Sequence, residues 1–462
     1  MGETDFLETG QELIEEEKVS DEPKPMENIL ECPTEFWLRD SAGTCLSKGE
    51  GLIILGPETF MIQSRVDQGL NFTYREVVAV KAIDYQIHIE LSSAETLTIF
   101  NLGYRYEDFC HDFHYLRNEM IIKDLLMKEK LCYPGTKAEF IYFDEHGRET
   151  DKGGCELRLY ETALMIIPVT SEIIRVPYRD FHNIEATDYQ IIIAAEYGEK
   201  LIFSMLGKMF DPFVRDLQGI MNDLTETAQS FIEDVVPDCG PGIIRRLTGL
   251  VKEGKAVQKN VIEQIAPSFW SGLENRLEQA GIKNEYDYLR RLSTAERIQI
   301  GFKRGLWGDL SGYYLWFLIP IYSLNPTEPG NIVAMEAVSE EGQKKATYFF
   351  KIVNRSEYRN LSSQEALDQK VDQILQGMNH CLSAVNFRRE PIYLNEAELM
   401  KPENLSYRLA IQKIPALRSL RNCFVGRIIH SSFQQWSEDV ANLLQFNVNV
   451  DDEDAKWKKV KR

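Results

Sequence analysis

The sequence predicts an α+β protein built from tandem domains, and three observations carry that prediction. Residues 35–118 and 139–222 repeat one another at a constant offset of 104 positions without a gap. Within each copy, short apolar runs rich in β-branched and aromatic residues come first and one run of helical period comes last. Beyond Pro237, helical text leads into a region that alternates strand-like and helix-like segments. A chain of 462 residues is long enough for two to four domains, each burying its own core.

Residues 1–31 carry eleven Asp and Glu against Lys18 and Lys24, with Pro23 and Pro25 and few apolar residues. So little apolar surface cannot offset the entropy of ordering a chain, which predicts a disordered acidic tail. It holds almost half of the net charge of −20.

The two copies are assigned to residues 32–129 and 132–234. Glu35-Phe36, Asp40, Gly43, Lys48-Gly49 and Met61-Ile62 recur as Glu139-Phe140, Asp144, Gly147, Lys152-Gly153 and Met165-Ile166. Tyr74-Arg75, Asp84-Tyr85-Gln86-Ile87 and Leu102-Gly103 recur as Tyr178-Arg179, Asp188-Tyr189-Gln190-Ile191 and Leu206-Gly207. Leu52–Leu55, Thr59–Ile62, Val77–Val80, Gln86–Leu91 and Leu97–Phe100 read as short antiparallel strands, separated by Gly, Pro, Asp or Ser. Phe109, Phe113, Leu116 and Met120, like Phe213, Leu217, Ile220 and Leu224, fall on one face of a helix that closes each copy.

After the Asp-Cys-Gly-Pro-Gly breaker at 238–242, residues 243–304 read as a helical linker region, with Val251, Val257, Val261 and Ile265 at near-helical spacing. Residues 305–448 read as an α+β domain: strands at Tyr314–Tyr322, Asn331–Val338 and Ala346–Val353, then helices at Gln364–Val385 and Tyr407–Leu444, the second broken near Pro415. Residues 449–462 form a charged tail.

About seven antiparallel strands followed by one helix resembles a pleckstrin-homology-like domain, the superfold that includes GRAM domains, here in two tandem copies. The resemblance rests on element order and covers about two-fifths of the chain. It implies a partly open β-barrel that binds lipid headgroups, peptides or other proteins and is rarely catalytic. In lipid-reading members the loop between the first two strands supplies several cations for phosphate. Here those loops offer Arg39 and Lys48 in the first copy and Arg148 and Lys152 in the second. Asp40 and Glu50, then Asp144, Glu145, Glu149 and Asp151, largely offset them, which favours protein over phosphoinositide.

No phosphate-binding loop, dinucleotide fingerprint, nucleophile elbow or HExxH helix is present, so neither catalytic nor cofactor-binding residues are expected. Cys110, His111 and His114 share a helical neighbourhood, but a structural zinc site needs four ligands and no second Cys/His cluster exists; no metal is expected. The repeated Tyr-Arg and Asp-Tyr strings are expected to fix the fold, the Arg and Asp pairing across neighbouring strands while the Tyr rings pack on the sheet. Trp307, in the basic and aromatic stretch 301–308, joins Arg39, Lys48, Arg148 and Lys152 as a candidate partner-binding residue.

Composition places the chain among ordinary globular proteins, and its longest apolar run, Tyr313 to Leu324, falls short of a membrane span. The eight cysteines are scattered singly without CxxC pairs, which suits reduced thiols in the cytoplasm. A strongly acidic chain has no basic face with which to displace counterions from a duplex, so no direct nucleic-acid partner is expected. The sequence thus reads as a non-enzymatic cytoplasmic protein-binding scaffold. Three alternatives remain: a peripheral adaptor that binds anionic lipid, an acidic chaperone of basic proteins resembling the histone chaperones built from paired pleckstrin-homology folds, and an enzyme in residues 305–448.

Overall fold

The computed structural model describes residues 30–64, 69–126, 129–196, 198–304, 313–325, 328, 331–338, 346–352, 361, 363–385, 390–423 and 432–449. Trp307, most of the acidic tail and the charged C-terminal tail after Asn449 lie outside them. Leu30 and Glu31, assigned to that tail from composition, open the first strand.

The fold is α+β, with two large antiparallel sheets of seven strands. The first contains β1 (Leu30–Arg39), β2 (Cys45–Leu55), β3 (Thr59–Ser64), β4 (Leu70–Thr73), β5 (Val77–Ile83), β6 (Gln86–Leu91) and β7 (Thr96–Phe100), in the order β4-β3-β2-β1-β7-β6-β5. Helix α1 (Tyr106–Leu126) follows. The second contains β8 (Leu131–Phe143), β9 (Glu149–Tyr160), β10 (Ala163–Pro168), β11 (Ile174–Pro177), β12 (Phe181–Thr187), β13 (Gln190–Ala195) and β14 (Lys200–Ser204), in the order β11-β10-β9-β8-β14-β13-β12, and helix α2 (Phe210–Val235) follows it.

Register is shared as well as order. Phe36 faces Ile99 and Phe140 faces Phe203, each pair displaced by 104, and a bulge interrupts both edge strands at the same place, after Val77 and after Phe181. The inward alternation of β1 (Cys32, Thr34, Phe36, Leu38) is what fixes register, because a slip of one residue would turn this set outward.

The repeated short strings mark turns. Asp40 Oδ1 accepts the amides of Ala42 and Thr44 at 2.9 and 2.8 Å, and Asp144 Oδ1 accepts those of His146 and Arg148, both at 2.9 Å. Gly43 and Gly147 follow at φ of 82° and 73°, which a side chain would strain. Asp84 and Tyr85 have φ of 51° and 58°, and Asp188 and Tyr189 have 51° and 60°. Because Ile83 pairs with Gln86 and Thr187 with Gln190, each string is a two-residue hairpin loop whose φ signs are those of a type I′ turn. Tyr74 and Tyr178 are buried as expected of rings packed on the sheet, but Tyr85 and Tyr189 are 78% and 74% exposed and lean on Tyr106 and Phe210 at the start of each closing helix.

Helix α1 is buried on two sides. Phe109, Phe113, Leu116 and Met120 enter the first core, whereas Ile122 packs with Tyr160, Met165 and Ile167 of the second sheet. Asn118, fully buried, donates to the Ser171 carbonyl at 2.9 Å and accepts from the Ile173 amide at 3.3 Å.

The third sheet runs β15 (Val257–Gln258), β16 (Gln299–Arg304), β17 (Tyr313–Ile321), β18 (Asn331–Val338) and β19 (Ala346–Ile352) in sequential antiparallel order. Residues 299–304, read as helical from the sequence, are therefore a strand; Ile298, Ile300 and Phe302 alternate at period two and are buried. Helices α3 (Pro241–Leu250), Pro267–Gln279 and Lys283–Leu292 share one core with the end of α2, with this sheet and with the last helix, Phe433–Asn449, so the stretch read as a linker packs as part of a core. Helices Gln364–Ala384 and Pro415–Cys423 pack with Trp316, Leu318 and Phe349.

Candidate functional site

The repeated Tyr-Arg pair marks where the two copies diverge. In the first, the turn Tyr74–Glu76 leaves Tyr74 buried, with its hydroxyl donating to the Gly56 carbonyl at 3.2 Å, and turns Arg75 toward α1. Arg75 donates to both oxygens of Asp124, Nε at 2.7 Å and Nη2 at 3.0 Å, and Glu58 stands 3.5 Å from Nη1. The expected partner, Asp84, is committed instead to the hairpin turn at the far end of β5 from Arg75, where its φ is positive.

In the second copy, the positions of Glu58 and Asp124 are Thr162 and Ala228. Arg179 has lost both carboxylates that hold its counterpart and donates through Nη1 to the Ser383 carbonyl at 2.7 Å, with Asp180 3.4 Å from Nε. Lys303, a buried residue of β16, donates from Nζ to the carbonyls of Leu382, at 2.9 Å, and Val385. Two cations thus meet the carboxyl end of helix Gln364–Ala384, where unpaired carbonyls and the helix dipole concentrate negative potential.

A cleft of about 410 Å³ opens beside this contact, between α2, α3 and the turn after β11. Its apolar wall is Phe181, Met221, Leu224 and Ala228. Arg179, Arg245, Lys252 and Lys303 border it, with two acids, Glu196 and Glu253. Glu196 pairs with Lys255 at 2.7 Å. Glu253 accepts the Arg304 amide on Oε1 at 3.1 Å; its Oε2 is buried without a hydrogen-bond partner among the described residues, and burial raises its carboxyl above the ordinary range against the opposing pull of Arg304, Lys303 and Arg179. Volume, an apolar wall and a few convergent charges are the usual attributes of a small-molecule site.

The residues singled out from the sequence lie elsewhere. Arg148 is held by Asp144, with Nε 2.8 Å from Oδ2, and Lys152 pairs with Glu149 at 2.7 Å, both within their own hairpin. Arg39 lies over the Trp37 ring at 4.8 Å, and Lys48 is exposed on β2 opposite Trp37. None of these four lines the cleft. Arg179 was visible in the sequence as part of a repeated string, but its role was not. The signal is the offset comparison itself: the Arg is kept while Glu58 becomes Thr162 and Asp124 becomes Ala228.

Among the described residues, no group of three His, Cys, Asp or Glu is placed to hold a metal ion, and no helix is long and apolar enough to cross a membrane. His114 is buried in α1.

No family's sequence profile matches the chain, and no curated protein matches it. A solved structure described as the Spt16D Pob3N heterodimer is similar to 37% of this chain and 85% of that one, at 11% identity and a TM-score of 0.15, a likeness too slight to carry an argument.

Proposed function

We propose that the chain is a non-enzymatic, cytoplasmic protein-binding scaffold whose two sheet-and-helix units, residues 32–129 and 132–234, are pleckstrin-homology-like. The strand order common to both sheets, with a helix after the last strand, supports that reading of the units. One observation supports the binding function: both units already hold another segment of this same chain through main-chain carbonyls. Lys413 donates to Val78 at 3.0 Å and Arg408 to Ser92 at 3.4 Å on the first unit, and Arg179 of the second donates to Ser383. Strands β5 and β12 stand last in their sheets, the edges at which a partner strand adds. The cations available for lipid phosphate in the second unit are held by their own loop, which favours protein over anionic lipid.

The net charge of −20 favours a second reading, a chaperone of basic proteins, for which carboxylates compete with a polyanion. The test uses the full chain as bait at physiological salt with crosslinking, beside flotation with phosphatidylserine vesicles at low salt. A stoichiometric partner crosslinked to β5 or β12 is expected. Flotation with the vesicles and no stoichiometric partner overturns the scaffold; capture of basic proteins alone, lost as salt rises, replaces it with the chaperone.

A further inference from the structure

We propose that the two hairpin tips at Asp84-Tyr85 and Asp188-Tyr189 each hold a lysine or arginine side chain of an extended basic segment in a protein partner. The inference takes from the scaffold reading only that β5 and β12 receive a partner strand, and it adds the charge of that strand. Each tip ends one of those edge strands, since β5 closes at Ile83 and β12 at Thr187. The outer half of each strand is exposed, at residues 81–83 and 185–187. A strand laid along either edge therefore ends against the tip.

The two tips agree more closely than their folding role requires. Tyr85 has φ of 58° and Tyr189 of 60°, a left-handed conformation that a tyrosine adopts at a cost and a glycine adopts freely. Asp-Gly is a favoured pair in such a turn, so the turn itself does not call for a ring there. With 78% and 74% of their surface exposed, the rings bury little. Yet both copies keep the tyrosine, and each ring leans on the first aromatic of its closing helix in one geometry. Tyr85 meets Tyr106 with centroids 5.3 Å apart and planes at 59°, and Tyr189 meets Phe210 at 5.5 Å and 59°. The copies thus share an aromatic ledge with one ring held out in solvent.

Carboxylates give the ledge its sign. Asp84 and Asp188 are exposed next to the rings, and Glu107 and Asp211, also exposed, follow Tyr106 and Phe210 in the chain; none of the four has an ion pair among the described residues. A ring face and an adjacent carboxylate attract the same ligand group, a cation, the first through the ring quadrupole and the second through its charge. Arg105, before Tyr106, is committed to the Glu31 carbonyl at 3.0 Å. Lys208, two residues before Phe210, has no side-chain hydrogen bond or ion pair among the described residues, and its like charge opposes a second cation, so the first tip carries more of the binding.

The probe is a fluorescein-labelled nonapeptide of alternating threonine and arginine, titrated into the full chain and followed by anisotropy. Beside it stand its citrulline analogue, which keeps the shape and loses the charge, and a version N-methylated on alternate residues, which cannot pair with an edge strand. Y85G/Y189G removes both rings, leaves the net charge unchanged and installs the favoured Asp-Gly turn, so it folds at least as well; circular dichroism and urea unfolding check this. It should weaken binding about fivefold, with Y85G alone giving most of the loss, while Y85W/Y189W retains binding. D84N/D188N, which keeps a residue suited to positive φ, should weaken it as well. The citrulline and N-methylated peptides should both bind more weakly than the parent. Unchanged binding in Y85G/Y189G overturns the proposal, because general attraction to an acidic chain then accounts for the binding. A citrulline peptide that binds as tightly as the arginine peptide overturns it too. An N-methylated peptide that binds as tightly as the parent, and still loses affinity in Y85G/Y189G, upholds the tips and overturns the edge reading instead.

Discussion

Arg179 Nη1 donates to the carbonyl of Ser383 at 2.7 Å, across 204 positions of sequence, while Arg75, its counterpart in the first copy, is spent on Asp124 within its own unit. The same residue in the same turn therefore does two jobs: in the first unit it ties sheet to helix, and in the second it ties the unit to the C-terminal region. The difference predicts unequal sensitivities. Asp124 is 5% exposed, so D124A leaves a half-buried guanidinium with only the exposed Glu58 and should cost about 3 kcal/mol. R179A removes the charge-assisted bond to the Ser383 carbonyl together with the longer contact to Asp180, an adjacent residue, and should cost about 1–2 kcal/mol, with faster amide exchange at the end of helix Gln364–Ala384. Urea unfolding compares them; a D124A loss no larger than that of R179A refutes the role given to Asp124.

Glu172, in the loop between β10 and β11, joins three parts of the chain. Its Oε2 accepts from Arg117 of α1 at 2.9 Å and from Lys413 at 2.8 Å. Burial pushes its carboxyl up, but Arg117 and Lys413 outweigh burial and hold it below the ordinary value of 4.5. A depressed acid contributes stability above its unfolded value and loses it as pH falls through the folded one. E172Q leaves two cations facing each other, one of them only 2% exposed, and should lose about 2 kcal/mol near neutrality. That loss should shrink as the pH is lowered past 4.5; a pH-independent effect would mean that the charge is not the cause.

His114 is held down to about 4, first by burial and then by Arg117, with Glu172 opposing them. A depressed base is protonated more readily in the unfolded chain, so stability falls as pH drops from 6.5 to about 4. Over that window His114 alone should remove about 3 kcal/mol. H114Q, which installs the residue found at the matching position 218, should flatten this part of the curve in chemical denaturation. An unchanged slope would exclude His114 as its source.

Two glycines should respond in opposite directions. A Cβ on Gly272 would lie 2.3 Å from the Val235 carbonyl, where the end of α2 crosses helix Pro267–Gln279, so G272A should destabilise by about 2 kcal/mol or more. At Gly249 nothing lies within 4 Å, and G249A should stabilise by about 0.5 kcal/mol through helix propensity alone. Thermal melts read both; stabilisation by G272A would show that the helices do not meet so closely.

The sequence by itself determined the parts of this protein that are written in short range. Short β-branched and aromatic runs gave the strands, and the stripe of Phe109, Phe113, Leu116 and Met120 gave the closing helix; the turns at the repeated Asp and Gly positions went unread, although an Asx bond and a positive φ involve only a few consecutive residues. A strand in the stretch 299–304 was there to be found in the alternation of Ile298, Ile300 and Phe302, but the neighbouring helical text masked it. The partners of the charged residues were not legible. Arg75 reaches Asp124 across 49 positions and Arg179 reaches Ser383 across 204, and no local pattern distinguishes the two arginines. Only packing decided that α1 is buried on both sides, that Lys303 and Arg179 meet one helix end, and that Thr162 and Ala228 line a cleft beside them. Backbone conformation responds to adjacent residues, whereas a charge pair or a cavity exists only once distant segments share a volume, and that sharing is a property of the folded chain.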